Sequence, residues 1–373
     1  MKIPRHHVSL GRTSCFYPKA DIAASDEYLR SLAALDIAPL AEQAAAAYAR
    51  HFAVEPSAVV PLKQQGTFHR LFRVSSQAGP TVIARLCILN RSEHEHLLDR
   101  DRWVYERLSA ASLPALRVLA VEPSSGPGTH ACQLLEEAAG KSLSHYDGDE
   151  DRMTRLLAEL GRLLARLHTI GTRGFGLLDA LPPAVHEHRE PRGRWISWPD
   201  YLQTNFARHL HRSSDLGAID AAETQRIRDA FAAAISQFGD IRPVLLHGDL
   251  GSHNVFTDGT TITALVDWED CLSGDAVFDL ACWATFHPRR RHRALLSAYR
   301  AVCGLPADFE LRFWLYFLRV ALAKTVLRDR FGLRDRPGRS PASGRVRLAL
   351  ERLEACLETD YTAPTLRRLA KSA

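Results

Sequence analysis

The rhythm of apolar and polar positions changes twice along the chain. Alanine-rich, helix-forming sequence predicts a helix over residues 39–51, with a shorter one before it over 25–35. From Val59 short β-like runs take over at 59–62, 71–74 and 81–86, and the turn-forming segment 75–80 predicts an antiparallel hairpin between the last two. A charged helix is expected over 92–111, followed by strands at 116–121 and 130–135 that flank Ser124-Ser125-Gly126-Pro127-Gly128. The period then becomes helical. Leucines recur at three- and four-residue spacing over 152–168 until Gly171, Gly174 and Gly176 close the segment. Further helices are expected near 198–210 and 221–238 and through most of 289–369, with loops at 182–199 and 335–341. The longest apolar stretch, 313–323, is too short for a bilayer and encloses Arg319, so it reads as a buried helix.

Composition narrows the class. The chain has 373 residues, 46% of them hydrophobic and 24% charged, enough for two lobes around a cleft. Its start, Met1-Lys2-Ile3-Pro4-Arg5, is not followed by an apolar run, so no secretory signal is expected. Seven scattered cysteines without a Cys-x-x-Cys pair predict neither a disulfide framework nor a zinc site, and fit a reducing cytoplasm. The net charge of +5 is diluted by interspersed acidic residues, and no nucleic-acid partner and no membrane are expected.

The chemistry concentrates between His247 and Asp267. The apolar run Val244-Leu245-Leu246 delivers His247-Gly248-Asp249, and Asn254 lies on the same short loop. Asp258-Gly259 then reverses the chain into Ile262-Thr263-Ala264-Leu265-Val266, which ends in Asp267 and returns it towards Asn254. Phosphoryl transfer needs such a set: Asp249 to orient an acceptor hydroxyl and take its proton, and Asn254 and Asp267 as hard oxygen ligands for Mg²⁺. His247 is read as bracing the loop backbone rather than as a base or metal ligand.

These residues, with Gly274-Asp275 and Asp279-Leu280-Ala281 downstream, resemble the aminoglycoside phosphotransferase and choline kinase-like superfamily, related to protein kinases. Among its branches, the hygromycin B phosphotransferases are similar in Asp101-Arg102-Trp103-Val104-Tyr105 and in Gly251-Ser252-His253-Asn254-Val255. The resemblance implies an α+β, kinase-like two-lobe fold: a small antiparallel sheet with one long helix, then a larger, mainly helical lobe. The expected division is an N-terminal helical arm (1–55), a nucleotide-binding lobe (56–138), and a lobe with the catalytic loop and acceptor site (139–373). It further implies that Gly66 and Thr67 cover the nucleotide, that Arg85 binds phosphate with Asp101 as its partner, and that the hinge around Glu137 meets the base. Arg85 replaces the lysine usual in the superfamily, and the covering loop has a single glycine.

The expected activity is transfer of the γ-phosphoryl group of ATP or GTP, with Mg²⁺, to a hydroxyl of an aminoglycoside-like or other sugar-bearing antibiotic, giving resistance. The alternatives are a metabolic kinase of a small alcohol, amino alcohol or sugar, and, from another class, a nucleotide-binding pseudokinase. Glu269 and Asp270, with Asp275, are the acidic residues expected to meet an amine-bearing acceptor; Trp198, Asp200 and Tyr201 either face it or belong to the core.

Overall fold

The computed structural model describes residues 34–63, 69–88, 92–126, 128–178, 190–330 and 341–359. All but the last two residues of the expected helix at 25–35, most of the loop at 335–341, and Gly66 and Thr67 lie outside them.

Five strands, β1 (Ala58–Pro61), β2 (His69–Ser75), β3 (Val82–Cys87), β4 (Val118–Glu122) and β5 (Cys132–Glu136), form one antiparallel sheet in the order β1-β2-β3-β5-β4. Alternation decides its faces. Phe72 and Val74 of β2 and Val82, Ala84 and Leu86 of β3 meet Leu40, Ala44, Ala47 and Tyr48 of helix α1 (Ala38–Phe52). Burying each of the larger of these side chains contributes about 1.5–3 kcal/mol. The intervening positions, Ile83 and Arg85, turn to the opposite face, where helix α2 (Ser92–Ala110) supplies Val104, Tyr105 and Leu108.

The chain leaves β5 through Gly140, whose φ of +83° suits glycine and where a Cβ would come within 2.0 Å of the Thr257 carbonyl oxygen. Among the described residues the further strands are β6 (Lys141–Ser142), β7 (Phe175–Leu178), β8 (Gly193–Trp195), β9 (Val244–Leu246), β10 (Val255–Thr257), β11 (Ile262–Leu265) and β12 (Leu272–Gly274). They make two small sheets, β11-β10-β6 and β8-β7-β12-β9. Around them stand α3 (Glu150–Leu167), α4 (Trp198–Leu202), α5 (Phe206–Asp215), α6 (Ala221–Ser236), α7 (Val277–Phe286), α8 (Arg289–Cys303), α9 (Phe309–Arg330) and α10 (Ala342–Glu358). Helix α3 starts where Asp149 accepts a hydrogen bond from the Arg152 amide at 2.6 Å, with Glu150 and Asp151 in its first turn. It lies so close to α8 that a Cβ on Gly161 would fall 2.2 Å from the Leu295 carbonyl oxygen.

The two-lobe α+β architecture is the one expected from the sequence. The single helix expected over 198–210 is two, because Asn205 between them adopts φ of +56° and turns the axis. The stretch expected as a loop at 182–199 holds an edge strand, β8, paired to β7. Trp198 and Tyr201 are core, Trp198 in edge contact with Phe278 and Tyr316 and in tilted contact with Tyr201, and the Asp200 carboxylate accepts from the Ser197 hydroxyl at 2.8 Å. No disulfide joins the described cysteines, and no helix among the described residues is long and apolar enough to cross a membrane.

Candidate active site

Three buried residues, Val244, Leu245 and Leu246, anchor β9 beside β12 and fix where the next residues emerge. Gly248 follows with φ of +81°, and a Cβ there would lie 2.0 Å from the Asp270 carbonyl oxygen, so the turn requires glycine. The amides of His247 and Gly248 both donate to the Asp279 carboxylate, at 2.7 and 2.9 Å, and His168 Nε2 lies 3.3 Å from it. Burial alone would raise the Asp279 pKa; the His168 hydrogen bond, nearby imidazoles and the Gly248 amide outweigh it and hold the group below the ordinary value. A buried carboxylate with these donors is a rigid clasp for the loop. The His247 ring braces the backbone as expected, donating from Nε2 to the Val266 carbonyl at 3.0 Å.

From this loop Asp249 projects half-buried, and Asn254 Nδ2 donates to the Asp249 carbonyl oxygen at 3.1 Å, which directs its amide oxygen away from the loop backbone. The β10–β11 pairing sets Val255 against Leu265, and the Val266 amide donates to the Asn254 carbonyl at 3.0 Å. Asp267, the next residue, thus comes beside Asn254. Its φ of +67° is left-handed, a conformation that costs a non-glycine residue roughly 1–2 kcal/mol and that clusters at functional sites. Its side chain stays 45% exposed. The two oxygen donors, Asn254 and Asp267, fit Mg²⁺, which takes few protein ligands when it arrives with phosphates. Among the described residues no group of three or more His, Cys, Asp or Glu side chains gathers to hold a metal unaided.

The small lobe meets this segment through Arg85. Its guanidinium pairs with Asp101, reaches Glu269 Oε2 at 3.2 Å and lies 3.7 Å from Asp267 Oδ1. Arg85 and Asp101 are both buried, so this is no surface pair. Burial works against the charged Arg85, but Asp101, Asp267 and Glu269 together leave its pKa above the ordinary value. His69 completes the cluster with Nδ1 3.1 Å from Glu269 Oε2, and its Nε2 has no hydrogen-bond partner among the described residues. Burial first, and Arg85 second, lower the His69 pKa, so the ring is neutral at neutral pH.

Glu137 lies at the hinge with its carboxylate 2.9 Å from Arg73 Nε. Glu269 turns to Arg85 and His69, and Asp270 is buried in the same short helical turn. Asp275, read from sequence as a possible amine ligand, is instead built into the large lobe: Tyr316 and Arg312 donate to its Oδ2 at 2.6 and 3.1 Å. Two further residues escaped the sequence reading. Arg100 on α2, fully buried, donates to the carbonyls of Leu178, at 3.1 Å, and Glu269, tying the long helix to the segment after Asp267. Lys324 on α9 sits with Nζ 2.8 Å from Asp249 Oδ1.

Residues 58–315 match the APH phosphotransferase enzyme family. The chain belongs to that family. Over 184 residues it is 26% identical to hygromycin-B 4-O-kinase of Escherichia coli, covering 49% of this chain and 50% of that one. Over 212 residues it is 29% identical to homoserine kinase of Pseudomonas aeruginosa, covering 51% of this chain and 58% of that enzyme. The chain therefore spans only about half the length of these relatives. The crystal structure of aminoglycoside phosphotransferase APH(4)-Ia superimposes with a TM-score of 0.59 over 87% of this chain and 99% of its own, at 19% identity, a likeness of fold.

Proposed function

We propose that this family member is a Mg²⁺-dependent O-phosphotransferase that moves the γ-phosphoryl group of ATP or GTP to a hydroxyl of an aminoglycoside-like or other sugar-bearing antibiotic. The observation that carries the reading is the convergence of Asp249, Asn254 and Asp267 on one buried hairpin, with Arg85 reaching Asp267 from the small lobe. Structural neighbours of the APH(4)-Ia type hold AMP-PNP or ADP together with hygromycin B, which supports a nucleotide donor and a sugar-bearing acceptor.

In this reading Asn254 and Asp267 hold the metal, which neutralises the phosphate oxygens when bound. Arg85, kept in place by Asp101, adds a fork of donors at the phosphate end. Gly66 and Thr67 cover the nucleotide, and the backbone about Glu137 reads the base. Asp249 orients the acceptor hydroxyl and takes its proton. Glu269 and Asp270 are the acidic residues offered to the acceptor side, Glu269 also serving Arg85.

One observation favours a second reading. Lys324 beside Asp249 would repel a polycation at the point of transfer, and homoserine, the substrate named for one relative, carries a carboxylate. A metabolic kinase for a small acidic or amino alcohol follows from that. Purified protein incubated with Mg-ATP or Mg-GTP and a panel of aminoglycosides, sugars and amino alcohols decides between them by product mass. One added phosphoryl group on an antibiotic supports the first; on a metabolite alone, the second; nucleotide binding with no transfer to any acceptor would leave neither.

A further inference from the structure

Helix α9 is largely apolar on its buried side: Val320, Ala321, Leu322, Ala323, Thr325 and Val326 are all buried. Within that stretch stands Lys324, its side chain only 13% exposed and its ammonium 2.8 Å from Asp249 Oδ1, 75 residues away in the chain. Withdrawing an ammonium this far from water is costly unless it is paired. The helix is also fixed in register against the catalytic segment. Arg312 and Tyr316 hold Asp275, and Arg319 donates to the Leu202 carbonyl at 2.8 Å and contacts His209 at 3.0 Å. Arg312 and Tyr316, one turn apart, thus hold the segment after β12, and Lys324, further along the same helix, meets the loop that carries Asp249.

The geometry points to Lys324 as the residue that positions Asp249 and balances charge at the transferred phosphoryl group. The inference rests on the phosphotransferase reading and adds to it a cation supplied from outside the catalytic hairpin. A carboxylate facing a γ-phosphate meets like charge, and an ammonium fixed on one of its oxygens removes that repulsion where the acceptor must approach. In the step itself the acceptor oxygen bonds to the γ-phosphorus. The bond from that phosphorus to the β–γ bridging oxygen breaks, its electron pair leaves with the nucleoside diphosphate, and the hydroxyl proton passes to Asp249. Lys324 keeps its proton throughout. It holds the carboxylate in the orientation that receives the hydroxyl, and its charge faces the phosphoryl oxygens as they pass.

The test uses the full chain with Lys324→Met and Lys324→Arg and needs no knowledge of the acceptor. Calorimetry gives the Kd of Mg-ADP and of Mg-AMP-PNP for each. Lys324→Met should weaken Mg-AMP-PNP about tenfold relative to Mg-ADP. Mg-ADP affinity should stay at the wild-type value, which also shows that the variant folds. Lys324→Arg should restore most of the preference, a rescue that mere space filling by the side chain would not produce. With an active acceptor, kcat of Lys324→Met should fall about 10²-fold with KM for the nucleotide changed far less. An unchanged Mg-AMP-PNP to Mg-ADP ratio with kcat within twofold overturns the role of Lys324 while leaving the phosphotransferase reading standing. A wild-type chain that binds neither nucleotide overturns both.

Discussion

Asp249 and Asp267 lie at the two ends of one short hairpin, yet they are held by opposite halves of the chain. Asp249 is 20% exposed, on a loop clasped by Asp279, and its cation is Lys324 of the large lobe. Asp267 is 45% exposed, in a left-handed conformation, and Arg85 of the small lobe lies 3.7 Å from its Oδ1. The first carboxylate is set by a rigid helical framework; the second stands where the lobes meet and answers to both. In the proposed enzyme this separates the acceptor end, which must be aimed, from the metal–nucleotide end, which must admit and release a large ligand.

The sharpest way to break the comparison is to remove each carboxylate. Asp249→Ala should lower turnover by about 10³-fold while Mg-nucleotide binding by calorimetry is retained. Asp267→Ala should abolish both together. Equal loss of nucleotide binding in the two variants would show that the ends are not separate.

The next largest effect belongs to the small-lobe cation. Arg85→Met leaves Asp101 and Glu269 buried without their guanidinium, and breaking a buried pair in this way costs about 3–5 kcal/mol. Chemical denaturation should show that loss. Arg85→Lys should recover only part of it, because one ammonium cannot span Asp101, Glu269 and Asp267 as a planar fork does.

The two ends also differ in how far they could be read from sequence. The hairpin from Val244 to Asp267 was legible because its turn glycine, its Asp-Gly reversal and its apolar strands are local, and local spacing fixes which side chains meet. The Arg85–Asp101 pairing was reached only through the family resemblance, since nothing in a strand and a helix 16 residues apart announces a contact. Lys324 and Arg100 were illegible. Each lies on a helix whose pattern reads as ordinary packing, and its partner comes from a distant segment. The break at Asn205 was missed because asparagine enters the left-handed region without a glycine to mark it. Strand β8 was missed because three residues at a sheet edge carry no alternation. Asp275 misled for a related reason: an acid beside a catalytic motif looks available until α9 is seen to occupy it.

A smaller effect separates the rigid large lobe from the rest through pH. His209 is buried and His292 half-buried, and desolvation, as the largest cause, pulls both pKa values down, that of His292 to about 4. The unfolded chain takes up protons at these sites below about pH 6.5 while the folded chain does not. Their contribution is therefore intact above pH 6.5 and is lost as pH falls towards the folded values. Each can cost at most about 1.4 kcal/mol per pH unit in that window. Thermal melts from pH 7 to pH 5 should show a falling midpoint. His209→Asn, whose amide oxygen stands close to the position of Nδ1 and can still accept from Arg319, should flatten the slope; an unaltered slope would exclude His209 as a source.

The smallest effect tests the hinge. Glu137 was expected to serve the nucleotide, and its carboxylate is paired with Arg73 in an exposed bridge, the side chains 37% and 49% exposed. Exposed bridges of this kind contribute about 0–1 kcal/mol, so Arg73→Ala should move the denaturation midpoint only slightly. If the base is read by backbone groups of the hinge, Glu137→Gln should leave the Kd of Mg-ADP within about twofold, since neither backbone donors nor acceptors change. A tenfold loss would instead give the Glu137 side chain a direct part in holding the nucleotide. The metal–nucleotide end would then depend on an exposed side chain at the hinge as well as on the buried cluster around Arg85.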